Sequence, residues 1–181
     1  MEKYLICDLD GCLIETSYLW MIIRTMKFTQ EEGFDFFDRT ANAEANPIDE
    51  TLHKYLCFKL TSGLKILFLT ARSEKIETET INFIQKKTDL VYGRDFIINS
   101  RPLGDDAPAV MSKEQRLIKI LAKEPKIVLA IDDQEEICKM YERYNIKTLK
   151  WKIGYVPNKV ISEFNGNLIM LINKKELECL N

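Results

Sequence analysis

The chain has 181 residues and a formal net charge of -2, with 46% hydrophobic and 30% charged residues. This is the composition of an ordinary globular protein of about one domain, and it excludes disordered and fibrous classes. The charge provides no global attraction to nucleic acid or to an anionic membrane, although a local basic groove is compatible with it. The longest apolar run, around YLWMII, is too short to span a bilayer.

The first element in chain order is a strand at KYLIC (3–7), followed by a helix over about 17–26. The polar stretch TQEEGFDFFDRTANAEAN is expected to break that helix. The prediction continues with a helix over 47–60, a strand at 65–69, a helix over 73–87, a strand at 95–99, a helix over 112–123, a strand at 126–131, a helix over 134–144 and a strand at 146–151. The strands are continuous apolar runs, which indicates an α/β protein whose parallel sheet is covered by helices on both faces.

These elements make one domain over residues 1–154, in which residues 15–46 could form a small helical flap. Residues 155–181 are expected to be an extension packed on the same domain, and they could add a strand and a helix. The interval between Thr70 and Lys113 holds a helix, a strand and a loop but leaves no room for a large cap domain.

Cysteines are spread along the chain without the CxxC spacing of metal sites. They are Cys7, Cys12, Cys57, Cys138 and Cys179. Most lie in apolar stretches, where a free cysteine behaves as a small hydrophobe. The pattern indicates a reducing compartment rather than a disulfide framework, and acidic residues come too early for a secretion signal to develop. We therefore expect a cytoplasmic protein.

Acidic and hydroxyl residues stand where the predicted strands end. They belong to three groups, Asp8-Leu9-Asp10-Gly11, Thr70-Ala71-Arg72 and Asp132-Asp133. Ligands of open parallel sheets bind outside the carboxyl ends of the strands. So much negative charge in one crevice is costly unless a hard cation and a lysine share the space. Mg²⁺ fits best, because zinc would prefer thiolate or histidine and the single histidine, His53, lies in a helix.

The order of these groups resembles the haloacid dehalogenase (HAD) superfamily of phosphotransferases. Its four motifs correspond to DLDGCL (8–13), the Thr70 segment LFLTAR, Lys113 and LAIDD (129–133). The resemblance implies a Rossmann-like three-layer sandwich with a mainly parallel sheet and at most a small cap. It also implies a hydrolase that is a Mg²⁺-dependent phosphatase.

Residue roles follow from the resemblance. Asp8 would be the nucleophile that forms an aspartyl-phosphate, and Asp10 the general acid and then base that also offers its backbone carbonyl to the metal. Gly11 would let the chain turn so that backbone N–H groups face the transferring oxygens.

Four further residues complete this implied site. Thr70 would hydrogen-bond a phosphoryl oxygen, and Lys113 would neutralise the charge that spreads over the phosphoryl group. Asp133 aligns with the metal-ligating acid of the family, while Asp132 would bind the metal through water or orient a ligand.

A closer resemblance is to the 3′-phosphatase domain of phage-type polynucleotide kinases, carried by RPLGDDAPAVMSKEQ and KIVLAIDDQEE. It implies that Arg101 and Asp105 shape the substrate pocket. Positions 107 and 109 depart from that pattern, because both are alanine where it offers a basic and an acidic residue. No GxxxxGK[ST] loop of a kinase is present. Arg72 is expected either to grip the substrate or to cap a carbonyl near the next helix.

The sequence therefore predicts a Mg²⁺-dependent HAD phosphatase with an open, lightly capped site. Its first candidate substrate is a nucleotide or the 3′-phosphate of a polynucleotide. The alternatives are a phosphorylated small metabolite, a phosphoprotein, or a non-catalytic module that only binds metal or phosphate. Three phenylalanines of the flap are either core residues or a platform on which a base stacks, namely Phe34, Phe36 and Phe37.

Overall fold

Five strands and six helices alternate in the described part of a computed structural model, which comprises residues 2–155 and 160. The strands β1 to β5 are Lys3–Cys7, Leu64–Ser73, Phe96–Arg101, Lys126–Asp132 and Thr148–Lys150. The helices α1 to α6 are Ser17–Thr25, Gln30–Thr40, Glu50–Thr61, Glu77–Lys87, Ala109–Leu121 and Glu135–Arg143. None of the helices described is long and apolar enough to cross a membrane.

The strands form one parallel sheet in the order β3-β2-β1-β4-β5. Strand β1 is central, with Lys3 opposite Leu64 of β2 on one side and Lys126 of β4 on the other. The chain moves outward through β2 and β3 in one direction and through β4 and β5 in the other. The strand order therefore switches beside β1, and a crevice at such a switch is where open α/β sheets bind ligands.

Helices cover both faces of the sheet. On one face Leu5 packs with residues of α3 and α4, and on the other Ile6 packs with Leu117 of α5 and Met140 of α6. Neighbouring residues of β1 thus enter opposite halves of the core, which is why its buried positions Leu5, Ile6 and Cys7 are all apolar. The three-layer α/β prediction is confirmed.

Helix α1 ends at Thr25, so the helix breaks there as expected, and a second helix, α2, forms within the polar stretch that follows. A capping box begins it: the Thr29 N–H donates to Glu32 Oε2 at 2.8 Å, and the Glu32 N–H donates to Thr29 Oγ1 at 3.3 Å. Gly33 lies within this helix against α1, and a Cβ there would lie 2.9 Å from Ile23 Cγ2. The glycine therefore allows two helices to approach closely rather than ending one.

Helices α1 and α2 have a small apolar cluster of their own. Leu19 and Ile23 of α1 pack with Phe37 of α2 and with Ile76, which lies in the short 3-10 helix Glu74–Ile76. The cluster holds the two helices over one edge of the sheet. Phe37 is a core residue of this cluster, while Phe36 packs at its margin.

Several boundaries differ from those predicted. Strand β2 continues through Thr70 to Ser73, because Ser73 pairs with Arg101 of β3 beyond an irregularity in register. Helix α5 starts at Ala109, directly after Pro108, whose φ of -51° suits a helix start. Of the C-terminal extension only Tyr155, which is exposed, and Val160, which is buried in the core, are described. The predicted strand and helix of residues 155–181, and Cys179, lie outside the described residues apart from residues 155 and 160.

Candidate active site

Three predicted site residues come together at the carboxyl ends of adjacent strands. Asp8 directly follows β1, Asp132 ends β4, and Thr70 lies in the last part of β2. The Asp8 N–H donates to the Ile131 carbonyl at 2.9 Å, so β4 still holds the chain one residue past β1. All three side chains are buried. The parallel arrangement thus converts distant segments of sequence into neighbours.

Lys113 is the cation of this group. Its Nζ lies 2.8 Å from Asp132 Oδ2 and 3.0 Å from Asp8 Oδ1, and its side chain is fully buried in α5. Burial works to lower the pKa of the lysine, but the Asp132 and Asp8 carboxylates outweigh it and the pKa is raised. The ammonium therefore stays charged and balances part of the buried negative charge.

One lysine does not balance three carboxylates. Oxygens of Asp8, Asp132 and Asp133 lie within 4.8 Å of one another. Oδ1 of Asp133 is buried without a hydrogen-bond partner, and Oδ1 of Asp8 is buried with its Lys113 ion pair but no hydrogen bond of good geometry. Burial, and then the neighbouring Asp132, raises the pKa of Asp133 to about 6. Burial also raises the pKa of Asp8, against the opposing effect of Lys113. The cluster is short of positive charge.

Gly11 makes room for this cluster. Its φ is +79°, and a Cβ at this position would lie 2.6 Å from Asp133 Oδ2. Any side chain would therefore push away a carboxylate oxygen as well as strain the backbone. The glycine allows the turn after β1 to pass close beside Asp133.

The donor set fits a magnesium ion. Mg²⁺ prefers hard oxygen ligands and is commonly held by one or two carboxylates together with water and phosphate. Here Asp133 Oδ1, which has no hydrogen-bond partner, and the Asp8 carboxylate, whose Oδ1 has an ion pair with Lys113, supply that chemistry. No histidine or cysteine belongs to this cluster of described residues, which disfavours zinc.

Asp10 lies beside the cluster and has a different partner. Arg72 donates to both of its carboxylate oxygens, from Nε to Oδ2 at 2.8 Å and from Nη2 to Oδ1 at 2.7 Å. The Thr16 hydroxyl also donates to Oδ1 at 2.9 Å. The side chain of Asp10 is therefore held away from the three-carboxylate cluster. Its expected role toward a metal, through the backbone carbonyl, stays a prediction.

Arg72 connects this acid to the helical flap. Its guanidinium also donates to the Asn42 side chain and to the Ala41 carbonyl, just after α2, and to Thr80 of α4. The alternatives predicted from sequence, a substrate grip or a carbonyl cap, do not include the pair with Asp10. A bidentate pair of this kind fixes the orientation of a carboxylate more firmly than a single hydrogen bond does.

Two residues were predicted to shape the substrate pocket. Arg101 ends β3, and Asp105 lies in the loop between β3 and α5. The Asp105 carboxylate accepts hydrogen bonds from Ser112 at 2.5 Å and from the Ala107 N–H at 3.0 Å, and the Ser112 bond lowers its pKa. It therefore ties the loop to α5. Arg101 donates from Nη1 to the Asp105 carbonyl at 3.4 Å, while its Nε has no partner.

A cavity of about 900 Å³ opens between the flap and this edge of the sheet. Asp10, Arg72 and Arg101 line it. The flap contributes Phe34, one of the candidate base-stacking residues, and side chains that the sequence did not identify as site residues, namely Trp20, Glu31, Asp35 and Asp38. Glu31, Asp35 and Asp38 follow i, i+4, i+7 spacing, which places them on one face of the helix that forms in the flap segment.

A family model described as HAD superfamily, subfamily IIIB (acid phosphatase), matches residues 1–149. No curated protein matches the chain. Among solved structures, a chain of the Pnkp1/Rnl/Hen1 RNA repair complex is similar, with a TM-score of 0.66 and 18% identity over 86% of this chain. The similarity covers 44% of that chain, so the present protein spans less than half the length of this relative.

Two other similar structures match along nearly their whole length. The HAD domain of the effector Lem4 from Legionella pneumophila has a TM-score of 0.52 and 18% identity, and 95% of this chain and 98% of that one are covered. The HAD family enzyme bt-2542 from Bacteroides thetaiotaomicron, in a magnesium complex, has a TM-score of 0.55 and 15% identity, and 88% and 98% are covered. Sequence identities as low as these show only that the fold is shared. The family match over residues 1–149 shows that the chain belongs to the HAD superfamily, subfamily IIIB acid phosphatases.

Proposed function

We propose that the protein hydrolyses a phosphomonoester in a Mg²⁺-dependent reaction that passes through an aspartyl-phosphate on Asp8. The observation that carries this proposal is the buried cluster in which Lys113 Nζ lies 3.0 Å from Asp8 while two further carboxylates lie beside it. A carboxylate attacks an anionic phosphoryl group readily only where cations offset their repulsion. In this cluster the Lys113 ammonium and a bound Mg²⁺ would offset that repulsion.

The reaction has two balanced steps. An Asp8 oxygen attacks phosphorus, the bond from phosphorus to the leaving oxygen breaks, and Asp10 donates a proton to that oxygen. Water then attacks the phosphorus of the aspartyl-phosphate, Asp10 accepts a proton from the water, and inorganic phosphate leaves with Asp8 restored. Arg72 and Thr16 fix the orientation of the Asp10 side chain, which must be protonated when the first step begins and regains that proton from water in the second.

Other residues stabilise the transferring group. Lys113 offsets its charge, and the buried Thr70 hydroxyl donates to one of its oxygens. Mg²⁺ held by Asp8, Asp133 and the Asp10 carbonyl would draw negative charge from the phosphoryl oxygens. Asp132 orients Lys113 through the 2.8 Å ion pair.

Hydrolysis of p-nitrophenyl phosphate tests this proposal. We expect activity that requires Mg²⁺, is abolished by EDTA and is lost in Asp8→Asn. Asp89→Asn, an exposed position after α4, is the matched control. Acid quenching during turnover should trap a phosphorylated peptide that contains Asp8. Activity that survives Asp8→Asn would reject the covalent mechanism, and a folded wild type without activity would favour a binding module.

We propose a phosphorylated small molecule as the substrate. The resemblance to 3′-phosphatase domains and the likeness to the Pnkp1-containing complex favour a nucleic-acid end instead. The cavity argues against a nucleic-acid substrate, because besides Asp10 it is lined by the carboxylates of Glu31, Asp35 and Asp38. A polynucleotide carries a negative charge on every phosphate and would meet repulsion there. Comparing 3′-phosphorylated oligonucleotides with small phosphomonoesters tests the choice.

A further inference from the structure

Two charged side chains of opposite sign line the cavity without forming an ion pair. Asp38 of α2 is partly buried, and burial raises its pKa against the smaller opposing effects of Lys75 and Arg72. Arg101 is 7% exposed, and its Nε is buried without an acceptor. Both residues line the same space as Asp10. An ionised group shielded from water without a partner is costly, and a ligand of opposite charge would remove that cost.

These two charges do not neutralise each other. Neither belongs to an ion pair among the described residues, although pairing would be the simplest way to stabilise both. Arg101 is held instead over the ring of Phe34, with its Cζ 5.6 Å from the ring centroid. Its other contact is the carbonyl of Asp105, whose own carboxylate is occupied by Ser112. The guanidinium and the Asp38 carboxylate thus line one cavity without forming an ion pair with each other.

Neighbouring charged residues add to the positive charge near Arg101 and to the negative charge near Asp38. Arg116 of α5 is also buried, its Nη2 has no partner, and burial together with the nearby Arg101 lowers the pKa of Arg116 to about 10. On the flap, Glu31 and Asp35 stand on the same helical face as Asp38 and line the cavity with it. Asp35 is partly neutralised by Lys75 at 3.2 Å, which leaves Asp38 and Glu31 as the unpaired acids.

The position of Asp10 identifies what occupies this cavity. Asp10 lines the cavity, whereas Asp8 and Asp132 do not. In the proposed reaction Asp10 donates its proton to the leaving oxygen, so the group attached to that oxygen must extend into the cavity. The charges on its walls therefore act on the leaving group and not on the phosphoryl group.

We propose that the leaving group is zwitterionic, with an ammonium placed toward Asp38 and a carboxylate placed toward Arg101, as in a phosphorylated hydroxy-amino acid. The inference rests on the proposed phosphatase function and specifies its substrate class. A leaving group with a single charge would pair with either Asp38 or Arg101 and leave the other without a partner. A polyanion would satisfy Arg101 but meet the acids of α2.

Four small phosphomonoesters of similar size test the proposal. O-Phospho-L-serine carries both charges, phosphoethanolamine only the ammonium, 3-phosphoglycerate only the carboxylate, and glycerol 1-phosphate neither. We expect the kcat/KM of the wild type for O-phospho-L-serine to exceed that for each singly charged compound by about tenfold, the effect of one charged hydrogen bond. Equal values across the series, or a preference for a 3′-phosphorylated oligonucleotide, would overturn the proposal.

Two variants test which side chain binds the carboxylate of the leaving group and which binds its ammonium. Arg101→Gln should reduce about tenfold the preference for O-phospho-L-serine over phosphoethanolamine, and Asp38→Asn should reduce about tenfold its preference over 3-phosphoglycerate. Each readout is a ratio within one variant, so a change in overall activity cancels. Lys119→Gln and Asp89→Asn, both at exposed positions, should leave the ratios unchanged. Unchanged ratios in Arg101→Gln or Asp38→Asn would contradict the assignment.

Calorimetric binding to Asp8→Asn separates this inference from the proposed function. This variant needs no turnover to bind O-phospho-L-serine, and it should bind that compound more tightly than phosphoethanolamine or 3-phosphoglycerate. If the binding preference is present but the wild type hydrolyses none of the four compounds, the phosphatase proposal fails and the inference stands. If turnover occurs without any such binding preference, the inference fails and the phosphatase proposal stands.

Discussion

Arg72 holds both carboxylate oxygens of Asp10, at 2.8 Å from Nε and 2.7 Å from Nη2. The side chain of Arg72 is fully buried and that of Asp10 is 15% exposed, so this ion pair is shielded from solvent. Through Asn42 and Thr80 the same guanidinium contacts the end of the flap and helix α4. The proposed general acid is thus positioned by a residue that also anchors the wall of the leaving-group cavity.

The first prediction concerns this pair. Arg72→Lys retains the charge but cannot form two parallel hydrogen bonds, so kcat for p-nitrophenyl phosphate should fall at least about tenfold while the protein stays folded. Arg94→Lys is the matched control, because Arg94 makes the same two-point contact with Asp95 on the exposed surface. Steady-state kinetics with circular dichroism measures both. A kcat of Arg72→Lys within twofold of the wild type would contradict a positioning role.

The second prediction concerns the buried cation. Lys113→Met leaves the Asp8 and Asp132 carboxylates without their ammonium, and the free energy of unfolding should fall by about 3 kcal/mol. Adding Asp132→Asn removes one of the stranded charges and should recover part of the loss. Urea denaturation of both single variants and the double variant gives the coupling, expected at about 1–3 kcal/mol. Simple additivity would show that the ion pair contributes nothing.

The third prediction concerns Gly11. Gly11→Ala and Gly63→Ala both place alanine at a positive φ, +79° and +75° respectively, which should cost each variant about 1–2 kcal/mol. Only at position 11 would the new Cβ lie 2.6 Å from Asp133 Oδ2, since position 63 faces open space. The Mg²⁺ concentration for half-maximal activity should therefore rise in Gly11→Ala alone. An equal rise in Gly63→Ala would assign the effect to backbone strain.

The fourth prediction concerns pH and metal affinity. A carboxyl group whose pKa is higher in the folded than in the unfolded state binds more protons when folded, so its contribution to stability falls as pH rises. For Asp133 this window runs from about pH 4, the usual range of an aspartate, to about 6. Because Mg²⁺ must displace that proton, the rise in Tm on adding MgCl₂ should be larger at about pH 7.5 than at about pH 5.5.

Differential scanning fluorimetry measures this metal-dependent shift. Asp133→Asn removes the titrating group, and the shift in that variant should be small at both pH values. A wild-type shift of the same size at both pH values would contradict the assignment of Asp133 as a metal ligand.

The sequence by itself determined the sheet and the convergence of the site. Continuous apolar strands separated by helices favour a parallel sheet, and such a sheet brings its carboxyl ends to one edge. Asp8, Thr70, Asp132 and Asp133 could therefore be placed together before any coordinates, and Lys113 was joined to them through the family resemblance. Local patterning carries this information because strand burial and strand polarity both follow from chain order.

Only the tertiary structure decided how the residues around that edge divide their contacts. Arg72 and Asp10 stand 62 positions apart, and nothing in either local sequence specifies that one holds the other. The sequence predicted a small helical flap over 15–46 without bounds for α2, because this short polar segment with an internal glycine gains its stability from packing against α1 rather than from propensity. The opposed charges of Asp38 and Arg101 come from a helix and a strand end that meet only in the folded chain. Such long-range pairings depend on three-dimensional packing, which sequence periodicity does not encode.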